Sequence, residues 1–123
     1  MFLTSIGALL ALLGVAAGAF GAHALRGQLE PSRLQVFETA VRYQLVHALA
    51  LVFAGANHDT APRPGTVAAG VLFLAGVALF SGSLYLLVLT GVTAWGAVTP
   101  FGGVSFMAGW LVLARAWWPA RRI

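Results

Sequence analysis

Four residues that could do chemistry share one short stretch. They are Glu38, Arg42, Gln44 and His47, within Glu-Thr-Ala-Val-Arg-Tyr-Gln-Leu-Val-His-Ala-Leu-Ala-Leu, residues 38–51. Glu38 and Arg42 are spaced i, i+4 with the acid N-terminal, the better orientation for an ion pair on a helix. His47 taken with His23 offers two imidazoles that could ligate haem iron, although the two are offset in depth along their helices. The chain has no cysteine, which excludes a disulfide framework, a thiolate metal site and a Cys nucleophile. No nucleophile stands with a base and an orienting group, so neither an enzyme nor a cofactor or metal site is expected.

The composition makes these polar residues costly to place. Of the 123 residues, 60% are hydrophobic and 8% charged, against roughly 25% charged in soluble domains. So few polar groups could not cover a soluble protein of this size. The net charge of +4 comes from seven Arg against three acids. The arginines lie mostly beside apolar runs, which reads as membrane-interface placement and not as a nucleic-acid surface. The length implies a single domain, 1–123.

Four apolar segments must position the polar residues. The first, residues 2–25, would be about 36 Å long as a helix, enough for a hydrocarbon core of ~30 Å. Ala22-His23-Ala24 mimics a signal-peptidase site, but no basic residue precedes the run, and it exceeds a signal-peptide core of roughly 7–15 residues. It is expected to be a transmembrane helix. Ser32, with Gln35 three residues later, has the pattern of a capping box opening a second helix over residues 33–56. The apolar part of that helix, Leu45 to Ala56, is only 12 residues, whereas a span needs about 20. The bilayer must then take in Glu38 and Arg42 as well. A third helix is expected over 66–90 and a fourth over 100–118, with Pro100 suited to its first turn. Trp95 and Trp117-Trp118 would mark the two interfaces. The expected fold is therefore an all-α membrane protein, an antiparallel bundle of four transmembrane helices.

An even number of spans puts both termini and the loop 57–65 on one side. Arg63, Arg115, Arg121 and Arg122 count for that side, and Arg26, Arg33 and Arg42 for the other. The Arg121-Arg122 pair favours cytoplasmic termini. In this topology His23, Glu38, Arg42, Gln44, His47, Ser81, Ser83 and Tyr85 all fall in the half of the bundle away from the termini. Unpaired polar groups in hydrocarbon cost several kcal/mol each, so these eight should face one another. Gly14 and Gly18 form a G-x-x-x-G on the first helix, a face for close helix packing.

Four motifs carry a resemblance. They are Gly-Ala-Phe-Gly-Ala-His-Ala-Leu (18–25), Phe-Glu-Thr-Ala-Val-Arg-Tyr-Gln-Leu-Val-His-Ala-Leu-Ala-Leu (37–51), Leu-Phe-Ser-Gly-Ser-Leu-Tyr (79–85) and Thr-Pro-Phe-Gly-Gly (99–103). In this order they resemble the domain of unknown function 423 family, which includes the animal transmembrane protein 256 group. The resemblance implies a small multi-pass protein of the bacterial inner membrane, and it brings no activity, cofactor or catalytic residue. The expected role is structural or accessory, with membrane lipid and a homo-oligomer or membrane-protein partner as its company. The alternative is a binding or transport module whose polar half holds a lipid headgroup, an ion or a small polar solute.

Overall fold

A computed structural model describes residues 2–119 of the chain. It contains four long helices and no strand among the described residues. Helix α1 covers Phe2–Leu25, α2 Pro31–Thr60, α3 Thr66–Thr90 and α4 Thr99–Trp117. A short 3-10 turn, Thr93–Ala97, carries Trp95 into α4. Four segments are long and apolar enough to cross a membrane. The expected four-helix membrane fold is what the chain adopts.

The helix ends follow local chemistry. Helix α2 begins at Pro31, one residue before the expected Ser32 cap, and no side chain caps it. Proline's fixed φ suits the first helical turn and its missing N–H needs no partner there. Helix α2 also runs a turn past Ala56, because Asn57 Nδ2 bonds Phe53 O at 2.9 Å and Thr60 Oγ1 bonds Ala56 O at 2.9 Å. It ends where Pro62 follows Ala61. Helix α3 closes on Gly91 in the left-handed region, φ 72°, with its N–H on Leu87 O. Pro100 sits in the first turn of α4 as expected. At the other end of α4 the Arg63 guanidinium lies 3.9 Å over the Trp117 ring, a cation–π contact that ties the α2–α3 loop to α4.

Two seams hold the bundle. On α1 the buried residues are Gly7, Gly14 and Gly21, spaced seven apart. A seven-residue repeat keeps one line of the helix against its neighbour over the whole length. A Cβ on Gly7 would lie 2.8 Å from the Val52 backbone N, and one on Gly21 2.8 Å from the Phe37 ring. Helices α1 and α2 therefore meet backbone to backbone. The expected Gly14–Gly18 motif is only half of this seam. Gly14 presses on Leu45, while Gly18 is partly exposed and has 3.3 Å of room to Val41.

The second seam pairs α3 with α4 by alternating glycine and phenylalanine. Phe106 lies on Gly76, Phe80 on Gly102 and Phe73 on Gly109. The Phe106 and Phe73 rings fill the space where the opposite helix lacks a side chain, and at Gly102 the backbone of Leu79 and Phe80 itself comes close. Phe73, Val77, Phe106 and Leu113 consequently form the main apolar core with Ala50 of α2. Helix α2 lies at the centre, between α1 and α3.

Candidate functional site

The polar residues of the bundle are joined between helices. Gln44 Nε2 donates to the backbone oxygen of Leu10 on α1 at 2.8 Å, and Tyr85 Oη on α3 donates to Gln44 Oε1 at 2.6 Å. One buried amide thus links three helices. Ser81 Oγ donates to Ala40 O on α2 at 2.7 Å. Ser83 Oγ lies 2.6 Å from Thr99 Oγ1 on α4 and also bonds Phe80 O. Residues two apart on a helix point to opposite sides, so Ser81 serves α2 while Ser83 serves α4. The Val77–Ser81 turn is π-helical. Such one-residue insertions often sit at functional positions.

His47 occupies the middle of the bundle, buried on α2. Its Nδ1 lies 2.7 Å from Tyr43 O and its Nε2 lies 3.0 Å from the Trp110 indole nitrogen on α4. A carbonyl only accepts and an indole N–H only donates. Both bonds are therefore satisfied by the neutral ring carrying its proton on Nδ1. The imidazole stacks on Phe106 with centroids 3.5 Å apart and planes 9° apart, and Phe73 closes a second side at 5.7 Å. Neither nitrogen is left to face a solute or a metal.

Of the eight polar residues singled out in the sequence, the structure joins five to other helices: Gln44, His47, Ser81, Ser83 and Tyr85. It leaves three outside. Glu38 and Arg42 are both exposed on the outer stripe of α2 and form no ion pair with each other. Helix α2 has 30 residues, about 45 Å at helical rise, so roughly 15 Å can project beyond a ~30 Å core. The residues α2 gains beyond Ala56 are Asn57, His58, Asp59 and Thr60, so the longer helix adds no apolar length. What sets Glu38 and Arg42 apart is that both face away from the other helices. His23 is exposed on the last turn of α1. Gly21 abuts Phe37, and His47 lies ten residues further along α2, about 15 Å. The structure does not bring the two histidines together.

Ser105 on α4 also takes part, its Oγ donating to Leu72 O at 2.7 Å. Trp110 and the phenylalanines around His47 escaped the sequence reading. A signal for the last was present. Phe73, Gly76 and Phe80 run against Gly102, Phe106 and Gly109 with matched spacing and opposite order.

The bundle also has a groove along its side. Leu3 of α1 sits against Gly70 of α3 near the terminal end, but further along the two helices diverge. A groove of about 630 Å³ lies between them. Leu13, Ala16 and Phe20 form one wall, Ala78, Gly82 and Tyr85 the other, and Phe37 and Gln44 the floor. It is almost wholly apolar and opens sideways along the helices.

Comparison with known proteins fits this arrangement. The family model described as "Protein of unknown function (DUF423)" matches residues 17–103. That range runs from the glycine seam of α1 to the glycines that open α4. The chain belongs to the DUF423 family. It is 47% identical over 108 residues to a UPF0382 membrane protein of Staphylococcus haemolyticus, covering 88% of each chain. It is 46% identical over 112 residues to the UPF0382 membrane protein YwdK of Bacillus subtilis, covering 90% of this chain and 91% of that one. No solved structure matches. DUF423 membership and the four apolar spans make this an integral membrane protein, and the family carries no specific function.

Proposed function

We propose that the chain is a non-catalytic accessory protein of the bacterial inner membrane, a rigid bundle that works beside other membrane components. The observation that carries this reading is the use of the buried polar groups. Gln44, His47, Ser81, Ser83 and Tyr85 each end in a hydrogen bond, and in four of the five cases that bond crosses to the side chain of another helix. Ser81 makes the same crossing to a backbone oxygen. Small and polar residues of this kind hold helices together in lipid, where no hydrophobic force separates helix from helix. A transport path would need some of them turned towards a lumen.

In the same reading both termini face the cytoplasm. Arg63 and Arg115 on the terminal side, with Arg121 and Arg122 beyond the described residues, give that side the larger share of positive charge. The outer faces of α1 and α4, with Leu9, Leu12, Val104 and Leu111 exposed, are the surfaces offered to lipid and to a homo-oligomeric or membrane-protein partner.

The test is water access to the polar half. Ser81→Cys and Ser83→Cys, each in an otherwise cysteine-free chain in sealed vesicles, should resist a membrane-impermeant thiosulfonate from both sides. Modification of either from one side would reveal an aqueous path and overturn the accessory reading in favour of transport.

A further inference from the structure

We infer that the groove between α1 and α3 is a phospholipid site, with one acyl chain lying along Phe37 and Tyr85 and the lipid phosphate held by Arg33. The groove is apolar and open to the side, and in a transmembrane bundle that side is hydrocarbon. Water in such a place would find few partners, since Gln44 and Tyr85 already satisfy one another and Leu10. An acyl chain needs none.

The head end of the groove decides the class of lipid. Phe37 and Gln44 on its floor belong to one stripe of α2, and one turn before Phe37 that stripe carries Arg33. The far wall ends at Leu89, and Gly91 follows two residues later. A Cβ on Gly91 would lie 2.7 Å from Arg33 Nη2, so the guanidinium rests across the C-terminal end of α3. Arg33 therefore bridges the two helices that form the floor and one wall. It lies two residues inside α2, level with the loops, where headgroups begin. Among the described residues it forms no ion pair with Glu30 or Glu38, the acids at this end of the bundle. A half-buried, unpaired guanidinium at the mouth of an apolar groove is complementary to a phosphate diester, which it can bind with two parallel hydrogen bonds. Helices α1, α3 and α4 contain no acidic residue, so a second copy docking into the groove by any of them would bring apolar side chains and no carboxylate for Arg33. The phosphate therefore selects lipid over a second helix as the occupant.

The experiment uses the full chain purified in mild detergent, with dioleoylphosphatidylglycerol as the probe and dioleoylglycerol as the phosphate-free comparison. Native mass spectrometry reads the bound lipid. Wild type should retain one phosphatidylglycerol per chain and prefer it to dioleoylglycerol by about tenfold. Gly82→Leu fills the groove from α3, where a Cβ meets only Val77 O at 3.8 Å, and should weaken retention at least about tenfold with unchanged thermal stability. Ala16→Phe, from the opposite wall, should do the same and serves if Gly82→Leu misfolds. Arg33→Gln should abolish the preference for the phosphate while leaving dioleoylglycerol retention as it was. Retention equal to wild type in both groove-filling variants would overturn the site. So would a disulfide dimer between chains carrying Leu13→Cys and Ala78→Cys in lipid vesicles, because a second copy would then occupy the groove.

Discussion

The indole N–H of Trp110 lies 3.0 Å from Nε2 of His47, so a residue 43% exposed on α4 holds in place a ring only 4% exposed on α2. The bond also fixes which nitrogen of the imidazole carries the proton. With Phe106 stacked on the ring at 3.5 Å, His47 has two kinds of support, one polar and one dispersive.

Their relative size is testable. Hydrogen bonds between membrane helices average about 0.6 kcal/mol and rarely exceed about 1.7. Emptying a buried aromatic-sized site costs roughly 3–5 kcal/mol. His47→Phe keeps the stack and should lower stability by about 1 kcal/mol, close to the effect of Trp110→Phe. His47→Ala should lose several times more. Thermal unfolding in detergent distinguishes the two, and a His47→Phe loss as large as that of His47→Ala would mean that the polar bonds dominate.

Three alanine substitutions on α1 should rank by what the added methyl meets. At Gly7 it meets backbone atoms of Val52 and Ala48 at 2.8 and 2.9 Å, which can move only with the helix. At Gly14 it meets the Leu45 side-chain end at 2.6 Å, which can rotate away. At Gly18 only Val41 is near, at 3.3 Å. Overpacking costs about 1–3 kcal/mol, so Gly7→Ala should fall at the upper end of that range and Gly14→Ala near its lower end. Gly18→Ala should stay within about 0.5 kcal/mol of wild type. Equal losses at Gly7 and Gly18 would show that α1 meets α2 on a different face.

Glu38 and Arg42 give a different expectation from the one their spacing suggests. Exposed i, i+4 pairs contribute about 0.3–0.5 kcal/mol at best, and these two side chains form no ion pair. In a double-mutant cycle with Glu38→Leu and Arg42→Leu, the coupling should be smaller than about 0.5 kcal/mol. A term of several kcal/mol would instead show that the two are buried together in the bilayer.

That reversal shows where the sequence was legible. Apolar length located three of the four spans, because hydrocarbon thickness sets a minimum that few soluble helices meet. Helix α2, whose apolar part is only 12 residues, was placed by its helix-start signal at Ser32 and Gln35 as well. The depth of Gln44, His47, Ser81, Ser83 and Tyr85 also followed from counting along antiparallel helices. Facing did not. Ala40, Gln44 and His47 turn inward while Glu38 and Arg42 turn outward, and the turn between the two sets depends on which neighbour α2 meets. The end of α2 was misplaced for a local reason. Asn57 and Thr60 resemble helix breakers, yet both bond backbone oxygens one turn earlier and carry the helix on.

The strongest expectation concerns Gln44, the residue shared by three helices. Its amide holds Leu10 O through Nε2 and the Tyr85 hydroxyl through Oε1. Tyr85→Phe removes one donor and leaves Oε1 unpaired in an apolar groove floor, for a loss of about 1 kcal/mol. Gln44→Leu removes both bonds and strands the Tyr85 hydroxyl, and should cost about 1–3 kcal/mol. The double variant Gln44→Leu/Tyr85→Phe strands no group on either side chain, because Leu10 O keeps its own helical partner. Its loss should therefore be smaller than the sum of the single losses, with a coupling of about 0.5–1.5 kcal/mol. Gln44→Glu provides the contrasting case. The ionised carboxylate still accepts from Tyr85, but it offers no donor to Leu10 O and brings a charge into hydrocarbon. At alkaline pH this variant should therefore be the least stable of the set, recovering at low pH where the neutral acid regains a donor. Thermal stability in detergent ranks the four variants. If Gln44→Glu proved as stable as wild type at alkaline pH, where the carboxyl is ionised, the side chain would be reaching water, and the polar half of the bundle would be open instead of closed by its own hydrogen bonds.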